Sequence, residues 1–443
     1  MSPRDGRNGT ILSGVNAMPV LRHVRRSKTR LILSVAILMS PMLATQAQAN
    51  DPSPSWRDSD TLTGDWNGHR PTLEEDGYDI RMSLSWQGAH AFDGGRETGS
   101  ASNRDVRLSS QFDLDRLLGM PGATFKFGLI ERHGTDLGAK RTGSFGRVQN
   151  LAGAGLDFRL ADLAYQQTFA ERRGTLALGL LHSGGDFATV PIVFDFQNNV
   201  YSPRALSIGD NSGFAGYPVT QWGVRMQWEA APGLAVQAAA YEINDDRVRH
   251  HHGWRLGFKG KAALLPIELV WKPATNENRL SGMYRLGAYY DSSNEADVLA
   301  RQRQGRRWGA WLVGQQQLWS GHGDIERGLH AFTQLHVYDR QTAMFRSQVS
   351  LGLVQQGTFA GRREDSIGLA FAYLEVNPRR IRHQRELGES HPQVGETTLE
   401  LYYNYRLARW LALRPNLQYI HRPGGSNRYA DAWVGGLTLD FVL

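Results

Sequence analysis

Cysteine is absent from the 443 residues, which excludes disulfide staples, cysteine nucleophiles, thiolate metal sites and a lipid-anchored amino-terminal cysteine. Long apolar runs are missing too. The most pronounced, Leu31 to Leu43 (LILSVAILMSPML), is shorter than the ~20 residues a spanning helix needs. With a mean hydropathy of −0.43, a bundle of membrane helices is ruled out. No nucleophile elbow, H-E-x-x-H, P-loop or dinucleotide fingerprint occurs. Lysine is scarce as well: beyond residue 49 there are 38 arginines and only five lysines, Lys126, Lys140, Lys259, Lys261 and Lys272.

What the chain does have is charge, and its location matters. The formal net charge of +7 and pI near 9.6 invite a nucleic-acid reading. The first 49 residues, however, carry Arg4, Arg7, Arg22, Arg25, Arg26, Lys28 and Arg30 against the single anion Asp5. The apolar run follows, then Ala47-Gln48-Ala49, so residues 1–49 read as a secretory signal peptide. Met18 offers a second possible start. Arg25-Arg26 lacks the hydrophobic consensus of a twin-arginine signal and reads as ordinary amino-terminal charge. Without this segment the remaining 394 residues carry +1, and no nucleic-acid partner is expected. An exported chain remains, with 46 glycines, 12 Trp, 15 Tyr and 17 Phe.

That chain alternates apolar and polar residues, the period-two signature of strands. Ile80, Met82, Leu84 and Trp86 interleave with Arg81, Ser83, Ser85 and Gln87. Trp222, Val224, Met226 and Trp228 interleave with Gln221, Gly223, Arg225, Gln227 and Glu229. The same pattern predicts strands over 254–259, 399–406 and 433–443. No convincing 3.6-residue repeat appears, so the fold class is all-β. A soluble sandwich or propeller and a transmembrane barrel both alternate, but the barrel inverts the faces, apolar toward lipid and polar toward a wet lumen. Three features favour the barrel. The polar face carries charge (Arg81, Arg107, Arg225, Glu229, Arg285, Glu400, Arg406). Trp86, Trp222, Trp228, Trp254, Trp271 and Trp433 suit interfacial girdles. Tight punctuation at Pro232-Gly233 and Pro415-Asn416 contrasts with the long polar stretches 182–218 and 376–396, expected as external loops. At roughly 24 residues per strand and connection, about 16 antiparallel strands are expected, a size that leaves an aqueous channel. The expected organisation is therefore a short periplasmic segment over 50–79, then the barrel over 80–443.

Candidate chemistry elsewhere is weak. His250-His251-His252 would alternate sides on a strand end, and a solvated loop accounts for them better than a metal site. Arg301–Arg307 and Arg379–Arg385 read as solvated loop charge that would meet an anionic outer leaflet, lipopolysaccharide included. Asp245-Asp246 and Glu74-Glu75-Asp76 read as exposed turn and helix-start residues rather than a catalytic pair. No metal and no cofactor is expected. The arginine excess carries more weight: a rigid, always-charged fork facing Glu, Asp and Tyr builds a polar, near-neutral slot suited to uncharged polyhydroxylated solutes.

Three ordered blocks then carry a resemblance. The first is Leu62-Thr63-Gly64-Asp65-Trp66-Asn67-Gly68-His69-Arg70 with Leu73-Glu74 and Gly77. The second is Gly185-Asp186-Phe187-Ala188 and Pro191, then Tyr217 through Arg225. The third is Glu396-Thr397, Glu400, Tyr403, Leu407, Trp410, Leu413, Pro415, Gln418-Tyr419-Ile420 and Pro423-Gly424-Gly425. Over essentially the whole chain beyond the signal segment, the sequence resembles the carbohydrate-selective outer-membrane porin family (OprB type). The resemblance implies a 16-stranded barrel in the outer membrane of a Gram-negative bacterium, monomeric or homotrimeric, passing glucose-like sugars into the periplasm. It places the middle block around a long loop that lines or narrows the channel. The end Asp440-Phe441-Val442-Leu443 departs from the terminal Phe usual in such proteins, but the alternation is kept. The expected pore-lining set is Arg81, Arg107, Arg225, Glu229 and Arg285 for the slot, with Asp186, Phe187, Tyr217 and Trp222 shaping the constriction. For Trp222 motif and parity disagree, since alternation puts it on the lipid face. A general or anion-selective porin is the alternative; an outer-membrane enzyme barrel would need a Ser or Asp with His at a rim, and no such motif is present.

Overall fold

The structure, a computed structural model, describes residues 58–153, 157–203, 205–244, 253–275, 280–299, 303–321, 324–359 and 361–443. The signal segment, His250-His251-His252 and Asp245-Asp246 lie outside the described residues.

The alternating stretches form sixteen strands: β1 (Tyr78–Gly95), β2 (Gly99–Asp113), β3 (Ala123–Gly134), β4 (Phe158–Phe169), β5 (Gly174–Leu181), β6 (Gln221–Ala231), β7 (Leu234–Glu242) and β8 (Ala263–Trp271), then β9 (Gly282–Ala296), β10 (Arg303–Gly321), β11 (Asp324–Tyr338), β12 (Phe345–Gln356), β13 (Ser366–Val376), β14 (Gly395–Ala408), β15 (Leu411–His421) and β16 (Ala430–Val442). Each pairs with its sequence neighbours, and β1 pairs antiparallel with β16 from Ser83↔Val442 to Gly95↔Ala430, closing the barrel. Closure leaves no strand edge unpaired, which a sheet in lipid requires. β1 begins two residues before the boundary read from alternation, at Tyr78. Ahead of it, a short helix (His69–Glu75) packs at the barrel's turn end, where Leu62 N–H donates to the Val442 carbonyl at 2.8 Å and Arg70 donates to the Leu443 carbonyl at 3.1 Å. Glu74 and Glu75 close this helix rather than start it, and their carbonyls accept from Arg116.

The inverted pattern is plain in β8. Leu265, Ile267, Leu269 and Trp271 point outward and are exposed, while Leu264, Glu268 and Val270 point inward and are buried. β13 and β14 repeat it, with Leu369, Phe371, Leu399 and Leu401 outward. A continuous band of exposed Leu, Ile, Phe and Trp is the surface of a barrel solvated by lipid.

Four sequence expectations need correction. Pro415-Asn416, expected as tight punctuation, lies inside β15 and pairs with β16. Residues 254–259 alternate but form no strand; they belong to an extended strap against the outer wall. The stretch 182–218 is not an external loop: it folds into the lumen and is mostly buried. Nor is the whole lumen polar. The inner faces of β7 to β14 present Tyr241, Tyr289, Trp311, Phe332 and Tyr338, which pack against Phe187, Val190, Val193, Phe196, Leu206 and Phe214 of the inserted loop. The hydrophobic effect thus fills half the barrel, because that loop carries an apolar face the wall can cover.

Glycine at two wall positions permits this geometry. Gly94 adopts φ +65° at a bulge beside the β1–β16 seam, where a Cβ would collide with the Asp431 backbone carbonyl. Gly436 on the inner face of β16 leaves room for the side chains of Asn416 and of Gln197 from the inserted loop. A β-branched residue at Gly94 combines a left-handed strain of about 1–3 kcal/mol with that collision. Gly94→Val is therefore expected to lower the yield of folded barrel sharply, read as loss of the heat-modifiable fast band on a gel. Undiminished folding would show that the seam can shift.

Candidate functional site

Among the described residues, two loops occupy the lumen, 135–153 after β3 and 182–203 with 205–220 after β5, and inward carboxylates of the wall hold their backbones. Glu268 Oε2 accepts from Ala188 N–H at 2.8 Å. Glu400 accepts from Gln197 N–H at 2.6 Å and Asn198 N–H at 2.8 Å. Glu396 accepts from Phe145 N–H at 2.8 Å, Gly146 N–H at 3.0 Å and Gly424 N–H at 2.7 Å. Asp291 Oδ2 accepts from Gly213 N–H at 2.7 Å. Neutral amides continue the pattern: Gln315 accepts from Ile192 N–H, and Gln348 accepts from Ser207 N–H and donates to the Val200 carbonyl. Charge-assisted bonds to N–H groups inside a low-dielectric wall are strong. They fix an irregular chain that would otherwise bury unpaired amides.

This anchoring brings two loop carboxylates against wall arginines. Asp186, at the end of a single helical turn (Ser183–Asp186), faces Arg225 Nε at 3.4 Å and accepts from the Tyr241 hydroxyl at 2.9 Å. Its carbonyl accepts from Gln237 at 2.8 Å and Arg285 at 3.1 Å. Arg285 also pairs with Glu268 at 2.8 Å, and Glu268 accepts from Trp311 Nε1 at 2.7 Å. Asp195 lies 3.2 Å from Arg414, which also pairs with Asp440 at 2.8 Å; Ser85 donates to that same aspartate at 2.7 Å. A third group sits on β2 to β4. The Arg107 guanidinium lies 4.3 Å over the Tyr217 ring, His182 Nε2 meets Asp162 at 2.9 Å, and Arg132 pairs with Asp105 at 2.8 Å in a fully buried bridge. Burial pushes the Tyr217 phenol up to about 12, so it stays neutral and offers a ring face. Arg107 has no carboxylate within hydrogen-bond reach among the described residues.

The nine residues expected from sequence divide. Arg225, Arg285 and Asp186 meet where the inserted loop touches β6 to β9, and Arg107 and Tyr217 meet in the separate group on β2 to β4. Arg81 lies toward the turn end, its side chain 73% exposed, paired with Asp79 at 2.8 Å and lining a recess of about 240 Å³ with Lys126 and Asp162. Glu229 sits at the β6–β7 turn, where it accepts from Gly233 N–H at 3.2 Å and caps that turn instead of lining the slot. Phe187 is fully buried behind the loop among Phe214, Tyr241 and Trp311, so its ring supports the constriction without lining it. Trp222 points outward, its Nε1 donating to the Leu256 carbonyl at 2.7 Å; parity decides there because adjacent strand residues must alternate. Sequence reasoning missed Glu268, Arg414, Asp195 and Asp440. A lone carboxylate in the apolar run Leu264–Trp271 was the available signal for Glu268; a loop aspartate has none, since folding alone brings it to the wall.

The geometry can now be set beside known proteins. The model of the carbohydrate-selective porin, OprB family, matches residues 97–443. Porin B of Pseudomonas aeruginosa is 33% identical over 434 residues, covering 90% of this chain and 94% of that protein. The putative porin QuiX of Acinetobacter baylyi is 30% identical, covering 92% of this chain and 97% of its own. Among solved structures, Pseudomonas putida OprB at high pH shares 30% identity with a TM-score of 0.83, covering 87% of this chain and 99% of that one. The low-pH structure of the same protein aligns with a TM-score of 0.60. A closed sixteen-stranded barrel with a loop folded into its lumen, matched from Glu97 to the last residue, makes this chain a member of the carbohydrate-selective porin, OprB, family.

Proposed function

We propose that the chain is a passive pore in the outer membrane of a Gram-negative bacterium, exported by its first 49 residues, through which glucose-like sugars diffuse to the periplasm. The observation that carries this reading is the pairing of lumenal arginines with the inserted loop: Arg225 with the Asp186 carboxylate, Arg414 with the Asp195 carboxylate, and Arg285 with the Asp186 backbone carbonyl. Guanidinium forks with unused N–H groups and carboxylates with unused lone pairs offer sugar hydroxyls both donors and acceptors. The opposed charges largely cancel, so a dissolved ion gains little by entering. Tyr217 adds a ring face of the kind sugars stack on. The chain acts as a channel, with no covalent step and no cofactor. Liposomes containing the protein are expected to admit glucose faster than charged solutes of similar size. Absence of conductance, or equal entry of glucose and amino acids, would sink the reading.

An anion-selective pore is the second reading, and the stacked Arg107 favours it because no carboxylate lies within hydrogen-bond reach of it among the described residues. Reversal potentials across a salt gradient separate the two: near zero for the sugar pore, displaced toward the chloride potential for the alternative.

A further inference from the structure

The strap at 253–262 has no part in the pore, yet the fold holds it firmly on the outside. Trp254 stacks on Phe158 of β4 with ring centroids 5.6 Å apart. Trp222 Nε1 holds the Leu256 carbonyl. Outward-facing Glu242, at the end of β7, accepts from Lys259 N–H at 2.6 Å and Gly260 N–H at 3.3 Å. Between strap and wall runs a groove of about 720 Å³, lined by Trp222, Val224, Ala240, Leu256, Phe258 and Lys261. That volume falls in the range of about 300–1,000 Å³ found for ligand pockets.

Its depth follows from elementary cost. Irregular backbone and an ionisable side chain on the outer face are not sustained in hydrocarbon, so the strap and Glu242 sit at the polar boundary of the membrane. They sit at the loop end of the barrel, since β6 begins and β7 ends there, and longer loops mark the extracellular side. The leaflet at that level is built from phosphorylated glycolipid. The strap's charge matches it: Arg255, Lys259 and Lys261 are all exposed, and two of the five lysines beyond residue 49 lie within this one segment.

We infer that the groove is a lipopolysaccharide site, seating one acyl chain between Leu256, Phe258 and the β6–β7 wall while a lipid phosphate lies on Lys261 beside Lys259. The full-length protein in nanodiscs, offered hexa-acyl lipid A against phosphatidylethanolamine, tests this by native mass spectrometry. Wild type is expected to retain lipid A preferentially. Lys259→Glu with Lys261→Glu should lower that retention roughly tenfold or more, since each cation near an anionic surface contributes about fivefold. Phe258→Asp should lower it for both lipids. Heat-modifiable migration and glucose flux should be unchanged in all variants, which keeps a folding failure distinguishable. Equal retention of the two lipids by wild type, undiminished lipid A binding in the lysine variant, or substitutions that change subunit number instead, as a second copy in the groove would require, each overturns the assignment.

Discussion

Alanine at Glu268 and Glu400 together is expected to leave a barrel that conducts several-fold more current and no longer separates glucose from charged solutes of its size. The two carboxylates hold opposite stretches of the inserted loop, Glu268 at Ala188 and Glu400 at Gln197 and Asn198. Removing them leaves those N–H groups unpaired, at about 1–3 kcal/mol each. It also strands Arg285, whose carboxylate partner is fully buried; breaking such a pair from one side costs about 3–5 kcal/mol. The barrel wall closes without these contacts, because its ladder hydrogen bonds run strand to strand around the full circle. The loop gives way and the wall stays. Single-channel recordings with a parallel gel-shift assay measure both. Unaltered conductance in the double variant would mean that the aromatic cluster of Phe187, Phe196 and Trp311 retains the loop unaided.

Arg225→Glu is expected to turn the channel cation-selective and to slow glucose entry by about tenfold or more. The substitution sets two carboxylates face to face, since Asp186 lies 3.4 Å from the guanidinium it removes. Like charges at about 4 Å with an effective dielectric near 20 repel by about 4 kcal/mol, which recruited cations relieve. A lost charge-assisted hydrogen bond to a sugar hydroxyl is worth about 1.5–3 kcal/mol, tenfold or more in rate at about 1.4 kcal/mol per decade. Arg225→Lys, which keeps the charge and loses the fork, should preserve ion balance while slowing glucose. The reversal potential and the swelling rate therefore move separately. If both variants passed glucose at the parental rate, Arg225 would lie off the solute's path.

Particular residues show how far the sequence could be read. Outward Leu265, Ile267, Leu269 and Trp271 follow from alternation alone, as does the lipid-facing side of Trp222, because a strand's geometry leaves each side chain one of two faces. Alternation fails at 254–259, where the pattern is present but no neighbouring strand accepts the segment. It is also silent on depth along the barrel: Arg81, Arg225 and Glu229 share an inward parity, yet only Arg225 meets the inserted loop.

The sequence by itself determined the all-β class, the inverted faces, about sixteen strands by its length and the near-neutral balance of a pore. These are local or additive properties, set by a two-residue period and by composition. The tertiary structure decided that 182–220 turns inward and that half the lumen is packed with aromatics. It also decided that Asp186 and Asp195 face Arg225 and Arg414. Those pairings join residues 39 and 219 positions apart. Nothing in a strand's period encodes them; they arise where an apolar loop face, buried against the wall, carries its carboxylates to the arginines with it.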